Sequence, residues 1–226
     1  MKPRVCVSIL PKTSTQALQL IEKAEEAKAD LIEVRLDKLK KQDRLADLAS
    51  HGKTVKIATK KFLSYRGNFK DTETEQKQIL LTAAKAGFNY VDIELSTSNL
   101  KEFTTQISDL GAKLIVSFHD YEGTLKLTEL NSVLEEEIAC GADICKIVPT
   151  AKRFEDNLTL LNFCSAASKR CSVVCFAMGE PGKVSRLLSP LFGCEFTFAA
   201  LETESETASG QMTIQEMRSA YKLLGV

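Results

Sequence analysis

The sequence has few histidines, no paired-cysteine motif and no long apolar run. Its 226 residues include only two histidines, His51 and His119, so a histidine-rich metal site is excluded by number. No apolar run approaches the roughly 18 to 20 residues that cross a bilayer. The start, Met1 to Ser8, is too short and too quickly polar for a secretory signal. We expect a cytoplasmic protein that has no membrane partner.

An excess of charge of either sign is also missing. Thirty basic side chains balance 30 acidic ones, so there is no overall field to hold nucleic acid, and the expected partner is a small molecule. The seven cysteines are an odd number and form no Cys-x-x-Cys pair. We therefore expect neither disulfides nor a zinc site, and no metal at all.

What is present is a regular alternation of short β-rich runs and amphipathic stretches of helical length. The predicted strands are Val5–Ile9, Leu31–Arg35, Thr54–Thr59, Tyr90–Glu94, Lys113–Phe118, Asp143–Val148, Ser172–Phe176 and Glu195–Phe198. The predicted helices cover 14–28, 42–50, 72–86, 98–109, 125–140, 153–168, a short stretch from Lys183, and 213–223.

Eight strand–helix units in one chain predict an α/β fold, a single-domain (β/α)₈ TIM barrel over residues 1–226. Gly87, Gly111 and Gly141 each follow a helical pattern, where a left-handed cap favours glycine. A doubly wound sheet is the alternative, but it usually needs fewer units and a switch point. The polar segment from Glu202 to Gly210 is predicted to be a mobile loop after the last strand.

Several predicted strands carry charge on one face. Barrel strands alternate their side chains between the interior and the helices. On the second strand the apolar Ile32 and Val34 face the helices, so the residues between and after them point inward, and the same rule applies to the other strands. The inward polar set is Glu33, Arg35, Asp92, Glu94, Ser117, His119 and Lys146. Buried charges are costly unless they are paired or partly wet, and the carboxyl ends of barrel strands are where active sites form.

The lysine and the histidine lie on neighbouring strands and suggest a chemistry. A desolvated Lys146 would lose basicity and keep a neutral fraction that can form an imine, and His119 could carry protons beside it. Structural interpretations stay open. Arg35 could form an ion-pair network with Glu33 or with Asp92, His119 could be a satisfied core histidine, and Lys146 could be a snorkelling or salt-bridged lysine. His51 ends a helical pattern and is interpreted as structural.

Taken together, these residues resemble the type I 3-dehydroquinate dehydratases over essentially the whole chain. The matching blocks occur in the family order. They are Val7–Ile9, Glu33–Arg35, Ser117–Asp120, Ala142–Ile147, Ala177–Gly179 leading to Ser185–Arg186, Thr197–Phe198, and Gly210–Gln211. The resemblance implies a homodimeric (β/α)₈ barrel that needs no metal or organic cofactor and converts 3-dehydroquinate to 3-dehydroshikimate in the shikimate pathway.

The resemblance also implies a role for each matching residue. Lys146 would form the Schiff base and His119 would be the acid–base group of a syn elimination. Arg186 would bind the substrate carboxylate, Glu33 and Arg35 the ring hydroxyls, and Met178 and Phe198 would form apolar walls. Further binding contacts would come from Ser8, Val34, Lys61, Thr207 and Gln211. The loop from Glu202 to Gln211 would close as a lid.

Two segments depart from the family pattern. Lys61 stands where the family usually has arginine, which supplies charge without the guanidinium fork. The run Ser64–Asn68 lacks a family glutamate that orients the histidine. We hypothesise that Asp92 or Glu94 replaces that glutamate. Thr207 replaces a family serine.

Two other functions remain open from the sequence. A class I aldolase would also place a lysine on the sixth strand, but Arg186 and the lack of an evident sugar-phosphate cradle argue against it. A catalytically silent barrel that binds a small acid is the other alternative, although the lysine, histidine and arginine are all retained.

Overall fold

Alternating strands and helices build a barrel, as the sequence predicts. The structure, a computed structural model, describes residues 2–61, 64–65, 68–69 and 72–226. Within these residues, eight parallel strands form a nearly closed barrel and eight α-helices pack around it, so the predicted single-domain (β/α)₈ fold is confirmed. The barrel strands are β1 (Val5–Ile9), β2 (Leu31–Arg35), β3 (Val55–Thr59), β6 (Tyr90–Glu94), β7 (Lys113–His119), β8 (Ile144–Val148), β9 (Val173–Cys175) and β10 (Thr197–Ala200).

The helices follow the strands in order. They are α1 (Ser14–Glu26), α2 (Leu45–Ser50), α3 (Glu73–Lys85), α4 (Leu100–Asp109), α5 (Leu127–Ala139), α6 (Asp156–Ala167), α7 (Lys183–Leu188) and α8 (Ile214–Leu223). Two 3₁₀ turns, Glu180–Gly182 and Ser189–Phe192, flank α7 and were not predicted. A short antiparallel hairpin of β4 (Ser64–Tyr65) and β5 (Asn68–Phe69) follows β3 and was not predicted either.

Local sequence signals explain where many helices begin and end. Thr13, Thr72 and Thr213 each accept a hydrogen bond from a first-turn amide, which satisfies an otherwise unpaired N–H. Gly87 and Gly141 adopt the predicted left-handed backbone, with φ of 102° and 84°. These caps stop each helix close to the next strand, so the connections at the amino end of the barrel stay short.

Pairing between neighbouring strands leaves the barrel nearly closed. Strand β1 pairs in parallel with both β2 and β10, and pairing continues from β2 through β3, β6, β7 and β8 to β9. Between β9 and β10, the Glu195 N–H donates to the Val173 carbonyl at 2.9 Å. All eight strands therefore end at the same face, and the side chains that follow them converge there.

The core has two layers, and they divide along the predicted strand parity. Ile32, Val34, Val91 and Val116 pack outward against helices. The interior is filled from the amino end by Cys6, Leu31, Ile57, Ile115, Val174, Phe196 and other apolar side chains. All seven cysteines are unpaired thiols. In the described part of the chain, no helix has the length and apolarity needed to cross a bilayer.

Candidate active site

A cavity of about 420 Å³ opens at the carboxyl ends of the strands, above the apolar interior. Ten predicted site residues line it. They are Glu33, Arg35, Lys61, His119, Lys146, Met178, Arg186, Phe198, Thr207 and Gln211. The cavity therefore joins ionisable groups from strands far apart in sequence with residues of the loop after β10.

Lys146 extends from β8 into the barrel and is almost fully buried. Its Nζ atom lies 2.6 Å from Asp92 Oδ2 and 4.0 Å from Glu33 Oε1, and it stands 4.4 Å above the centre of the Phe198 ring. Asp92 is held in turn by the Ser117 hydroxyl, which donates to its other oxygen. The two carboxylates thus surround the amine, while the ring provides an apolar wall.

The expected loss of basicity at Lys146 is wrong. Burial alone disfavours the ammonium form, but the charges of Asp92 and Glu33 outweigh burial, so the pKa of Lys146 is raised above its ordinary value. The same cation contributes to lowering the pKa of Glu33 despite the burial of that carboxyl. Lys146 is therefore an ammonium at rest and must lose a proton before it can attack a ketone.

His119 ends β7 with both ring nitrogens in contact with charged side chains. Nδ1 lies 2.8 Å from Glu94 Oε1, and Nε2 lies 3.2 Å from Lys61 Nζ. Because a carboxylate only accepts, Nδ1 carries the hydrogen and Nε2 holds the lone pair in the neutral ring. Burial lowers the pKa of His119, Lys61 and Lys146 lower it further, and Glu94 opposes them. The imidazole is thus kept in its basic form.

The contacts of Glu94 and Asp92 separate the two candidates for the missing glutamate. Glu94 contacts the His119 ring, whereas Asp92 contacts Lys146. Burial raises the pKa of the Glu94 carboxyl, but its contact with His119 and the nearby lysines outweigh burial and lower the pKa overall. Glu94 is therefore the carboxylate that orients the histidine. In the run Ser64–Asn68, which lacks that glutamate, Arg66 and Gly67 lie outside the described residues.

Arg186, on α7, is a buried guanidinium that has no acidic partner among the described residues. Its terminal nitrogen reaches the Ala177 and Ser209 carbonyls only at 3.4 Å, and the guanidinium stacks 4.3 Å from the centre of the Phe176 ring. Within the described ranges, nothing accepts a hydrogen bond from the Nε atom. Burial lowers the pKa of Arg186 to about 9. Such a cation facing a cavity is arranged to receive an anion.

The loop after β10 covers the cavity. Thr207 donates from its hydroxyl to Ser8 Oγ at 3.0 Å, and its amide donates to Gln211 Oε1 at 2.7 Å. Gly210 approaches the backbone of Gly179 so closely that a Cβ atom would lie 2.2 Å from the Gly179 oxygen. The loop therefore has a defined seat against β1 and against the segment that follows β9.

The comparisons with known proteins agree with this geometry. Residues 5–226 match the family model described as type I 3-dehydroquinase. The chain belongs to this family. A 3-dehydroquinate dehydratase of Dehalococcoides mccartyi is 40% identical over 156 residues, 69% of each chain. A 3-dehydroquinate dehydratase of Coxiella burnetii is 31% identical over 222 residues, covering 97% of this chain and 93% of the relative.

The solved structure of a relative has the same architecture. The 3-dehydroquinate dehydratase from Geobacillus kaustophilus superimposes with a TM-score of 0.88 at 25% identity. That match covers 100% of this chain and 92% of the other chain. The family membership therefore favours the dehydratase over the aldolase and the silent barrel that the sequence left open.

Two predicted site residues do not line the cavity of this type I 3-dehydroquinase. Val34 is fully buried in the layer between strands and helices, because its parity is opposite to that of Glu33. Its predicted contact with substrate is corrected on that ground. Ser8 lies just beneath the cavity, where it donates to Glu33 and accepts from Thr207.

Seven other lining residues were not assigned to the site individually by the sequence, although Gly179, Ala208 and Ser209 lie in segments that it pointed to. They are Tyr121, Val148, Thr150, Phe176, Gly179, Ala208 and Ser209. Tyr121 stacks on the His119 ring with an interplanar angle of 15° and a centroid distance of 6.3 Å. The inward parity of Ser117 and His119 continues to Tyr121, so that signal was available. In the part of the chain that the structure describes, no group of three His, Cys, Asp or Glu residues could hold a metal ion.

Proposed function

We propose that Lys146 is the Schiff-base nucleophile of this chain and His119 its acid–base group. As a type I 3-dehydroquinase, the chain is a hydro-lyase that dehydrates 3-dehydroquinate in the shikimate pathway through a Schiff base. The observation that carries the assignment is the shared cavity. A buried lysine and a histidine kept in its basic form both face it, and an unpaired Arg186 lies on its wall.

The chemistry begins with loss of the Lys146 ammonium proton. Asp92, 2.6 Å away, is the nearest acceptor. The free amine adds to the substrate ketone, and loss of water gives a protonated imine, which acidifies the neighbouring carbon. His119 removes a proton from that carbon, and the resulting enamine expels the β-hydroxyl. The proton returns from His119 to the departing oxygen, water leaves on the same face, and hydrolysis of the imine frees Lys146 and 3-dehydroshikimate.

The substrate's polar groups have complementary partners around the cavity. Arg186 binds the carboxylate, because a planar fork can donate two hydrogen bonds to it. Glu33 and Arg35 hold ring hydroxyls, and Lys61 and Gln211 add further polar contacts. Ser8 and Thr207 hold the loop from Glu202 to Gln211 against β1 through their mutual hydrogen bond. Met178 and Phe198 form the apolar walls that exclude water from the imine.

Conversion of 3-dehydroquinate by purified variants tests these roles. Lys146→Ala should abolish formation of the conjugated enone, measured by its ultraviolet absorbance. His119→Ala should reduce kcat by about 10² to 10⁴, the usual contribution of a positioned acid–base group. Lys169→Ala is a matched control, because Lys169 is exposed at the amino end of the barrel. Full activity of Lys146→Ala would refute the assignment.

We also propose that residues 1–226 form one catalytic domain. Two further properties are proposed for this domain. The first is a homodimer, supported by the exposed apolar side chains of Phe154 and Leu158, which are 63% and 62% accessible near the start of α6. The second is a cytoplasmic location, supported by seven unpaired thiols. Light scattering coupled to size exclusion tests the dimer: a monomer mass at micromolar concentration would contradict it.

A further inference from the structure

Lys61 touches the atom of His119 that the reaction needs. Lys61 follows β3, and its Nζ atom lies 3.2 Å from His119 Nε2 and 3.7 Å from Glu94 Oε1. Since Glu94 already holds Nδ1, the imidazole is clamped between a carboxylate and an amine. The Lys61 side chain is mostly buried, with 25% of its surface exposed.

Charged side chains on β2, β6 and β8 act on Lys61, and His119 on β7 contacts it. Burial lowers the pKa of Lys61, the charges of Lys146 and Arg35 lower it further, and Glu94 and Asp92 oppose that change. In addition, the backbone N–H of Lys61 donates to Asp37 at 3.4 Å. Two cations and two carboxylates around the Lys61 amine thus have opposite effects on its pKa. The position is one where the family usually has a guanidinium, which does not titrate in this way.

We propose that Lys61 is a positioning residue for His119, which holds Nε2 opposite Glu94, keeps the resting imidazole unprotonated and yields that lone pair when substrate binds. This inference rests on the proposed role of His119 as the acid–base group. It extends that role by giving Lys61 an effect on the base itself, beyond a contact with substrate.

Each step of the exchange has an available partner. When substrate enters, the Lys61 ammonium can move towards Glu94 Oε1 or a substrate hydroxyl, which leaves Nε2 free to take the carbon-bound proton. The imidazolium then faces a like charge on Lys61, so the proton is driven onto the departing hydroxyl. His119 returns to the neutral form, and Lys61 can contact Nε2 again. No proton is gained or lost over the cycle.

The chain offers an unusually clean measurement, because it has two histidines. The Cε1 proton of each ring can be followed by NMR as pH changes, and His51→Gln identifies the other signal as His119. Lys61→Met should raise the midpoint of His119 by about one pH unit or more, since it removes an adjacent positive charge. Lys61→Arg should restore a midpoint close to that of the wild type. Glu94→Gln should lower the midpoint, because the charge that favours imidazolium is gone.

An unchanged His119 midpoint in Lys61→Met would overturn the inference. A rise in KM alone, with that midpoint fixed, would show that Lys61 only binds substrate. Lys61→Gln repeats the test if the methionine variant does not fold, which circular dichroism reports. Borohydride trapping of Lys146 with 3-dehydroquinate separates this inference from the proposed function. An adduct in the wild type together with an unchanged midpoint rejects the role of Lys61 alone, whereas no adduct in the wild type rejects the Schiff-base assignment.

Discussion

The Nζ atom of Lys146 lies 2.6 Å from Oδ2 of Asp92, with both side chains buried inside the barrel. The two residues are on β8 and β6, and β7 separates their strands. The pair makes the resting nucleophile an ammonium, since the raised pKa of Lys146 follows from Asp92 and Glu33 overcoming the effect of burial. Reactivity therefore depends on how readily this pair can give up a proton.

Replacing Asp92 with asparagine should make Lys146 easier to deprotonate. Loss of the adjacent negative charge lowers the pKa of Lys146, so a larger fraction is neutral at a given pH. The acidic limb of the rate of imine formation should move to lower pH by about 1 to 3 units. Borohydride trapping at a series of pH values measures it. Asp109→Asn, at an exposed aspartate, is the control. An unmoved limb would mean that Asp92 does not set the charge state of Lys146.

Replacing Arg186 with an apolar residue should stabilise the fold but weaken substrate binding. Arg186→Met removes a buried charge that has no acidic partner among the residues that the structure covers, so the free energy of unfolding measured without substrate should rise by about 1 kcal/mol or more. The same change should raise KM roughly 30-fold or more, because the substrate carboxylate loses its partner. Arg186→Lys should lie between, since it keeps charge without the fork. Urea denaturation and steady-state kinetics measure the two effects, and an unchanged KM would refute the carboxylate site.

Gly210 should be needed for closure of the lid. Its φ is +74°, and an added Cβ would collide with the Gly179 oxygen, so Gly210→Ala should displace the segment from Thr207 to Gln211. We expect kcat/KM to fall and amide exchange in that segment to accelerate. Gly111→Ala is a matched control: its φ is +80°, but no atom lies within 4 Å of the added methyl group. Equal losses of kcat/KM in both variants would show that backbone strain, not closure, is responsible.

Glu137, on α5, should make the stability fall as pH rises. Burial, followed by the charges of Asp92 and Glu94, raises the pKa of Glu137 well above its ordinary value, and the Cys145 thiol and the charge of Lys146 oppose that change only in part. The folded state therefore binds this proton more tightly than the unfolded state. Its stabilising effect is full below the unfolded pKa and is lost as pH rises towards the folded pKa.

Glu137→Gln should remove that dependence on pH. Between the two pKa values, the wild type should lose up to about 1.4 kcal/mol per pH unit relative to the variant. Urea denaturation at several pH values gives the difference in free energy of unfolding. Glu136→Gln, at the exposed neighbouring residue, should follow the wild type. Parallel curves for wild type and Glu137→Gln would show that Glu137 does not titrate in this window.

The alternation of side chains along the strands predicted the inward-facing residues of the site most accurately. It directed Glu33, Asp92, His119 and Lys146 inward, because a two-residue period fixes which face a side chain takes once the apolar face is known. The last strand was the least accurate: predicted over Glu195–Phe198, it lies at Thr197–Ala200. Its alanines are weak strand formers, and burial outweighs that preference.

The sequence predicts which residues belong to the site better than it predicts which of their atoms are in contact. Periodicity shows that Lys146 and Asp92 both point inward, but the sequence does not give the rotamers that bring Nζ to Oδ2. For that reason the expected loss of basicity at Lys146 had the wrong sign. The buried position of Arg186 also depends on the chain after β9, where two 3₁₀ turns interrupt the regular pattern.

Identification of the adduct site is the most direct test of the central claim. The protein is incubated with 3-dehydroquinate, reduced with borohydride, digested and mapped by mass spectrometry. We predict a single added mass, that of reduced dehydroquinate or dehydroshikimate, on the peptide containing Lys146, and none in Lys146→Ala. An adduct on Lys61 or on an exposed lysine, or turnover with no adduct at all, would contradict the account.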